Sequence, residues 1–311
     1  MPTTTDDPLP DLIRALRSRT SADRIRAAKS LGRLGSLARD AIPTLTALLR
    51  DDDAKVREAA AQSVGQMGAA ALPALSVMLD HDDKYVRRNA IWALGKLGPQ
   101  AKCALAALAR GLQDADPRTA SGAAQAIGNM GDAGVDAIPA LTEAMRGTNI
   151  VLCRLAAKAL SRIGVPALSE LIAHLQHSDP FVRGEAALAI GWIGLAALPA
   201  VPYLAQVVRG KGSRTVRDTP PPGTLLEASS VGSRAVRAKS TSGTITPLGN
   251  ANASSDGSSP EDACRVYAAQ ALGRMGKAAT PALADLRIAA RTGPDTLRQA
   301  AQQALRLIQE V

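Results

Sequence analysis

Aromatic residues are scarce: the 311-residue chain holds one Phe, two Trp and three Tyr. So few rings, spread so widely, leave no run on which successive bases of a nucleic acid stack. Cysteine is equally thin. Cys103, Cys153 and Cys264 stand far apart with no C-x-x-C spacing, which excludes the usual zinc and disulfide patterns and fits a reducing compartment. Of the three histidines, His174 and His177 lie close to Asp179, but no convincing third ligand accompanies them. They are placed at the end of a helix, where an imidazole interacts with the terminal carbonyls. No apolar run approaches the eighteen residues that a membrane span needs, and the N-terminal stretch Met1–Pro8 carries acid where a signal peptide carries base. The expectation is a soluble, cytoplasmic chain with no membrane association. Also lacking are a nucleophile beside a base and a paired-carboxylate cleft. The glycine phrases described below close helices, whereas dinucleotide fingerprints open them after a strand. No catalytic residue, cofactor or metal ligand is assigned.

What the chain has is repetition. An alanine-rich run ending in a Leu-Gly-x-Leu-Gly pattern closes at Gly35, Gly68, Gly98, Gly131, Gly164, Gly194 and Gly276, with Gln309 in the glycine's place in an eighth copy. The closures lie 33, 30, 33, 33, 30, 82 and 33 residues apart. A period near thirty means a solenoid, in which each unit buries its face only against its neighbours. The 82-residue gap is one unit plus an insertion at 211–260.

With the closing glycine as position 0, position −8 is alanine in every copy, from Ala27 to Ala301. Positions −4 and −1 are aliphatic or Met, as in Leu31 with Leu34 and Ile127 with Met130. Spacings of three and four residues define one helix stripe. Positions −6 and −2 are usually polar, as in Lys29 with Arg33 and Gln125 with Asn129. A second glycine at −3, in Gly32, Gly65, Gly95, Gly128, Gly191 and Gly273, costs a helix about 1 kcal/mol relative to alanine and implies close approach of adjacent helices. The closing glycines read as left-handed helix caps.

A shorter helix precedes each long one and is opened by Pro43, Pro73, Pro139, Pro166, Pro199 and Pro281, with Cys103 in that place in the fourth unit. Asp53, Asp83, Asp116 and Asp179, each at −15, read as caps of the long helix. Four residues further on stand Arg57, Arg87 and Arg183, with Arg24, Arg265 and Arg298 in the same slot of other units. A basic ladder for a ligand is one reading of this series. The preferred one is a structural clasp that hydrogen-bonds the turns of neighbouring repeats.

With the proline-opened helix, the Asp-x-x-Val-Arg turn and the Ala-rich glycine-closed helix in place, the chain resembles the HEAT repeat family. More narrowly it resembles the short HEAT-like repeats of phycobilisome lyase proteins, as in DAKVREAAAQSVGQMG (53–68), DKYVRRNAIWALGKLG (83–98) and DPFVRGEAALAIGWIG (179–194). The resemblance implies an all-α fold: a right-handed α-solenoid of about eight two-helix repeats with one long disordered insertion. Repeats 1–6 and the first helix of repeat 7 occupy 1–210, and the rest of repeat 7 with repeat 8 occupies 261–311. Deoxyhypusine hydroxylase uses the same scaffold with His-Glu pairs on a di-iron centre. No His-Glu pair occurs here, so that activity does not carry over. Bilin lyase chemistry has no motif that can be placed residue by residue.

The resemblance also implies that the long helices line a concave wall. Trp92 at −6 and Trp192 at −2 replace residues that are normally polar. Tyr85 lies seven before Trp92, and Phe181 and Leu188 lie eleven and four before Trp192, so each set runs along one helical ridge. Tyr85, Trp92, Lys96, Arg162, Phe181, Leu188 and Trp192 are the candidate partner-binding residues. Filling of gaps between uneven repeats is the competing role for the large side chains. The net charge of +9 comes partly from the insertion, where Arg209 to Pro260 holds seven basic residues against three acidic. That segment is either a phosphorylation-tunable basic arm or a passive spacer. The function expected is a scaffold or adaptor for another protein. The alternatives are a chromophore lyase-like enzyme and, less favoured on so mild a charge, a nucleic-acid binder.

Overall fold

A computed structural model describes residues 8–210 and 259–309. Its helices come in pairs: α1 (Pro8–Ala15) with α2 (Ser21–Leu34), α3 (Ile42–Ala47) with α4 (Ala54–Gln66), α5 (Leu72–Met78) with α6 (Lys84–Leu97), and α7 (Leu105–Gly111) with α8 (Pro117–Asn129). There follow α9 (Ile138–Arg146) with α10 (Ile150–Ile163), α11 (Leu168–His174) with α12 (Pro180–Ile193), α13 (Val201–Val208) with α14 (Pro260–Arg274), and α15 (Leu283–Thr292) with α16 (Asp295–Gln309). The described residues contain no strand. The eight even helices carry the eight phrases, as an α-solenoid requires. The insertion at 211–260 lies outside the described residues except at its end. There Ser259 accepts a hydrogen bond from the Asp262 amide and Pro260 occupies the first turn of α14, so both residues belong to the repeat.

Each even helix packs on the next even helix, from α2 on α4 through to α14 on α16, while neighbouring odd helices touch much less. Tight packing on one side and looser packing on the other bends the array, with the even helices inside. The tight side depends on small residues. A methyl group on Gly128 would sit 3.0 Å from the Ala159 Cα, and one on Gly273 would sit 3.0 Å from the Ala304 Cα. Thus the −3 glycine of one unit faces the −5 residue of the next. The stripe at −8, −4 and −1 is buried throughout the middle units, with Leu31, Leu94 and Ile127 fully enclosed. Each such side chain contributes roughly 1.5–3 kcal/mol by leaving water.

The two period lengths have a structural cause. Behind Gly35, Gly98, Gly131, Gly194 and Gly276 runs a seven-residue 3-10 connector, whereas Gly68–Ala71 spans four residues and Val165–Ala167 three, beginning directly after Gly164. The short units lack three residues, one turn of a 3-10 helix, so the next helix starts in the same phase.

Three expectations need correction. Four of the closing glycines are not in the left-handed helical region: Gly35, Gly98, Gly164 and Gly194 have φ from 55° to 81° but ψ from −128° to −137°. That is the geometry of the first central residue of a type II′ turn, which starts the 3-10 connector and is closed to side chains. Of the residues expected to open the short helices, only Pro43, Pro73 and Pro139 stand in the first turn of an α-helix; Pro166, Pro199, Pro281 and Cys103 sit in the connectors just before one. Third, an apolar helical run long enough to cross a membrane does exist, at Pro180–Val208. It comprises two helices, α12 and α13, joined by the Gly194–Ala200 connector. The chain turns at Gly194 and at Ala197 (φ −94°, ψ 21°), where the backbone leaves the helical region as it does at Ala38 (φ −96°, ψ 23°), and α12 packs on α10 and α14.

The acidic caps form as expected. Asp53, Asp83, Asp116 and Asp179 accept from the amides of Lys55, Tyr85, Thr119 and Phe181 at 2.8–2.9 Å. The arginines beyond them act as clasps, though the carbonyls they bind belong to their own turn. Arg87 donates to the His81 and Asp82 carbonyls at 2.7 and 2.8 Å and, through Nε and Nη2, to Asp114 of the next unit at 2.6 and 2.9 Å. Arg24 joins Asp51, and the fully buried Arg183 joins Glu261, in the same way. Arg57 binds its own turn and lies 4.7 Å from the centre of the Tyr85 ring.

Candidate inner-wall interface

On each even helix the residues at −8, −4 and −1 point into the core and those at −3 and −5 meet neighbouring helices. That leaves −13, −9, −6 and −2 within one arc of the helical wheel. Columns −13, −6 and −2 form the solvent face of the inner wall, and column −9, in the same arc, is partly covered, with Ala59, Glu185 and Ala300 buried.

All seven predicted site residues fall in these columns, in two groups. On α6, Tyr85 and Trp92 are 42% and 39% exposed, and Lys96 places its Nζ 5.1 Å from the centre of the Trp92 ring. The Tyr85 ring is surrounded by Arg57, Lys84 and Arg88 at 4.7–5.5 Å. On α12, Trp192 is 46% exposed, with Phe181 and Leu188 half-buried beside it. Arg162 on α10 is exposed and donates to Asn129 at 2.6 Å. The two groups are three helix-to-helix steps apart, roughly 24–30 Å, so they are separate patches on one wall.

Sequence reading missed two members of the second patch. Tyr267, at −9 on α14, lies against Gly184: a methyl on that glycine would meet the Tyr267 Cδ2 at 3.0 Å. Glu185, at −9 on α12, is 4% exposed and accepts from Arg154 Nε at 3.0 Å. Burial raises its carboxyl above the usual range, and Arg154 counters only part of that. Arg154 also lies 5.5 Å from the centre of the Phe181 ring. The signal for both residues was column −9, which shares the arc of the exposed columns and holds Tyr267 half-buried and Glu185 buried.

Sequence reading missed the sorting of charge as well. On the wall, α2 contributes Arg26, Lys29 and Arg33, and α4 contributes Lys55. Lys96, Arg118, then Lys158 with Arg162 follow on α6, α8 and α10. The only carboxylate in the four columns is Glu185. Arg26 pairs with Asp23; the others have no carboxylate at ion-pair distance among the described residues. The acids are concentrated at the turns because N-caps and clasps need them there. From α12 onward the wall becomes apolar, with Phe181, Leu188, Trp192, Tyr267 and Leu307 against a single cation, Arg274.

The described residues hold no group of three or more metal-type ligands. His174 is buried, with Nδ1 2.7 Å from the Glu170 carbonyl and Nε2 accepting from Arg146 Nε at 3.2 Å, a neutral tautomer. Burial pushes the Cys153 and Cys264 thiols up to about 12 and about 11, so neither supplies a thiolate at neutral pH.

A model of HEAT repeats matches residues 9–84, 72–152 and 138–219. The chain belongs to the HEAT-repeat family. Among solved structures, it is similar to the complex of CpcE and CpcF of phycocyanin lyase from Nostoc sp. PCC7120, at 24% identity and TM-score 0.41, over 68% of this chain and 88% of that one. It is similar also to human deoxyhypusine hydroxylase in complex with glycerol (21%, 0.35, over 97% and 96%) and to computationally designed armadillo repeat proteins for modular peptide recognition (20%, 0.40, over 62% and 99%). No functionally curated protein matches the chain.

Proposed function

We propose that this HEAT-repeat protein is a cytoplasmic scaffold or adaptor that grips another protein along its inner wall and performs no chemistry of its own. The observation that carries the reading is the exposure of Trp92 and Trp192 in columns that are otherwise mostly polar. A gap-filling ring would be enclosed by its neighbours, and exposed indoles are disproportionately binding anchors, each costing about 2 kcal/mol or more when truncated at a hot spot. Affinity capture from native lysate, comparing the intact chain with Trp92→Ala/Trp192→Ala, tests it. The variant loses the captured partner while helicity and melting stay almost unchanged. Loss of stability in place of loss of binding would return the rings to a packing role, and a co-purified tetrapyrrole absorbance would favour the lyase-like alternative.

A further inference from the structure

The inner wall is divided into two halves. Over α2 to α10 its four columns carry eight cations and no carboxylate; over α12 to α16 they carry five large apolar side chains, one cation and the buried Glu185. We infer that the wall binds an extended protein segment of bipartite chemistry, with acidic residues lying over α2–α10 and bulky apolar residues over α12–α14. The inference rests on the inner wall being the binding face, and adds the partner's chemistry.

Charge complementarity selects this occupant. A row of like charges, seven of its eight without a carboxylate at ion-pair distance among the described residues, repels itself and is relieved by a row of opposite sign, which steers and registers a partner. Four helix-to-helix steps separate α2 from α10, roughly 32–40 Å, which an extended chain covers with about ten to twelve residues. The apolar half then receives the side chains that follow or precede the acidic stretch.

Other occupants fit less well. Single-stranded nucleic acid would need open ring faces, yet Lys96 lies over Trp92 and three cations surround Tyr85. A phosphate backbone leaves the cluster of Phe181, Leu188, Trp192 and Tyr267 without a use. A second copy of this chain would bring one basic wall against another. The 211–258 segment has the wrong sign, with six cations against three carboxylates.

The test is selection of a displayed random 16-residue peptide library on the full chain, repeated on Lys96→Glu/Lys158→Glu/Arg162→Glu and on Phe181→Ala/Trp192→Ala. On the wild type, the enriched peptides carry Asp and Glu in one half and large apolar residues in the other. Charge reversal abolishes the acidic enrichment and weakens a selected peptide at least about tenfold, while the alanine pair abolishes the apolar enrichment. Circular dichroism checks each variant, and Lys158→Gln/Arg162→Gln replaces the reversal if that unfolds. Enriched peptides that are apolar but not acidic would overturn this inference and leave the scaffold reading standing. Peptides whose binding ignores every inner-wall substitution would overturn both. Tighter binding of an oligonucleotide of equal charge, displacing the selected peptide, would assign the wall to nucleic acid instead.

Discussion

Gly191 of α12 and Ala271 of α14 approach so closely that a methyl group on the glycine would lie 2.9 Å from both the Cα and the Cβ of the alanine. This contact binds unit 6 to unit 7 across the long insertion.

Gly191→Ala is therefore expected to destabilise the array. Overpacking against backbone costs about 1–3 kcal/mol, which outweighs the roughly 1 kcal/mol that alanine adds to an isolated helix. Gly65→Ala makes the control, because its nearest neighbours lie 3.5 Å away, an ordinary contact. Urea unfolding should show a net loss of up to about 2 kcal/mol for the first and no loss for the second. Equal effects would mean that the seam is not under steric control.

At Gly194 (φ 69°, ψ −134°), nothing lies within 4 Å of an added methyl, so only the backbone resists substitution. Asparagine tolerates the left-handed helical region but not this one. Gly194→Asn and Gly194→Ala should then cost the same, about 1–3 kcal/mol by thermal melting. A clearly milder asparagine would point to a left-handed helical cap after all.

Removing Pro99, Gln100 and Ala101 converts a seven-residue connector into the four-residue kind that already joins α4 to α5. The shortened protein should keep its helicity, with a loss of roughly 2 kcal/mol or less from the buried Ala101. Removing two residues puts α7 out of phase and should cost more. Circular dichroism melts of the two deletions decide the matter.

Arg183 is 2% exposed and binds the His177 and Ser178 carbonyls together with Glu261. Replacement by Leu leaves these acceptors unpaired, at a cost of about 2–4 kcal/mol. Arg298→Leu, in the same slot but half exposed and paired only with Asp295, should cost a few tenths at most. Chemical denaturation of both variants gives the comparison.

Burial holds the His174 imidazole below its usual 6.5, with Arg146 and His177 adding to the effect and the Glu170 carbonyl opposing it. Such a base takes up its proton more readily once unfolded. Stability is thus complete above about pH 6.5 and falls as the pH drops toward the folded-state value. The melting temperature should decline between pH 7 and 5.5, less steeply in His174→Gln. Two carboxylates act in opposite senses: Glu185, raised above its usual 4.5 by burial, regains stability as the pH falls toward that value, whereas Asp116, which burial alone would raise, is held at about 2 by Thr119 and Arg88 and loses its contribution progressively below 3.8. Identical slopes in wild type and variant would remove His174 from the account.

The fold was legible because it is written eight times. Ala at −8, Gly at −3 and Asp at −15 each meet the same constraint in successive units, and repetition separates constraint from accident. Backbone detail was not legible in the same way: one glycine symbol stands for both the left-handed cap and the type II′ turn, and the proline register shifts when a connector loses three residues. The candidate site was partly legible. Trp92 and Trp192 stand out against their columns, whereas Tyr267 and Glu185 lie in column −9, where alanine, glycine, leucine and arginine also occur and no polar norm marks an exception. The wall's polarity was hidden because a net charge sums turn aspartates with wall lysines that never meet.

Of the three thiols, Cys153 and Cys264 are sealed in the core, and Cys103 alone is exposed, in the Gly98–Ala104 connector. A maleimide dye or surface tether should therefore attach at one defined point of the native protein, on the margin of the array, and report on events along the groove without any engineered substitution.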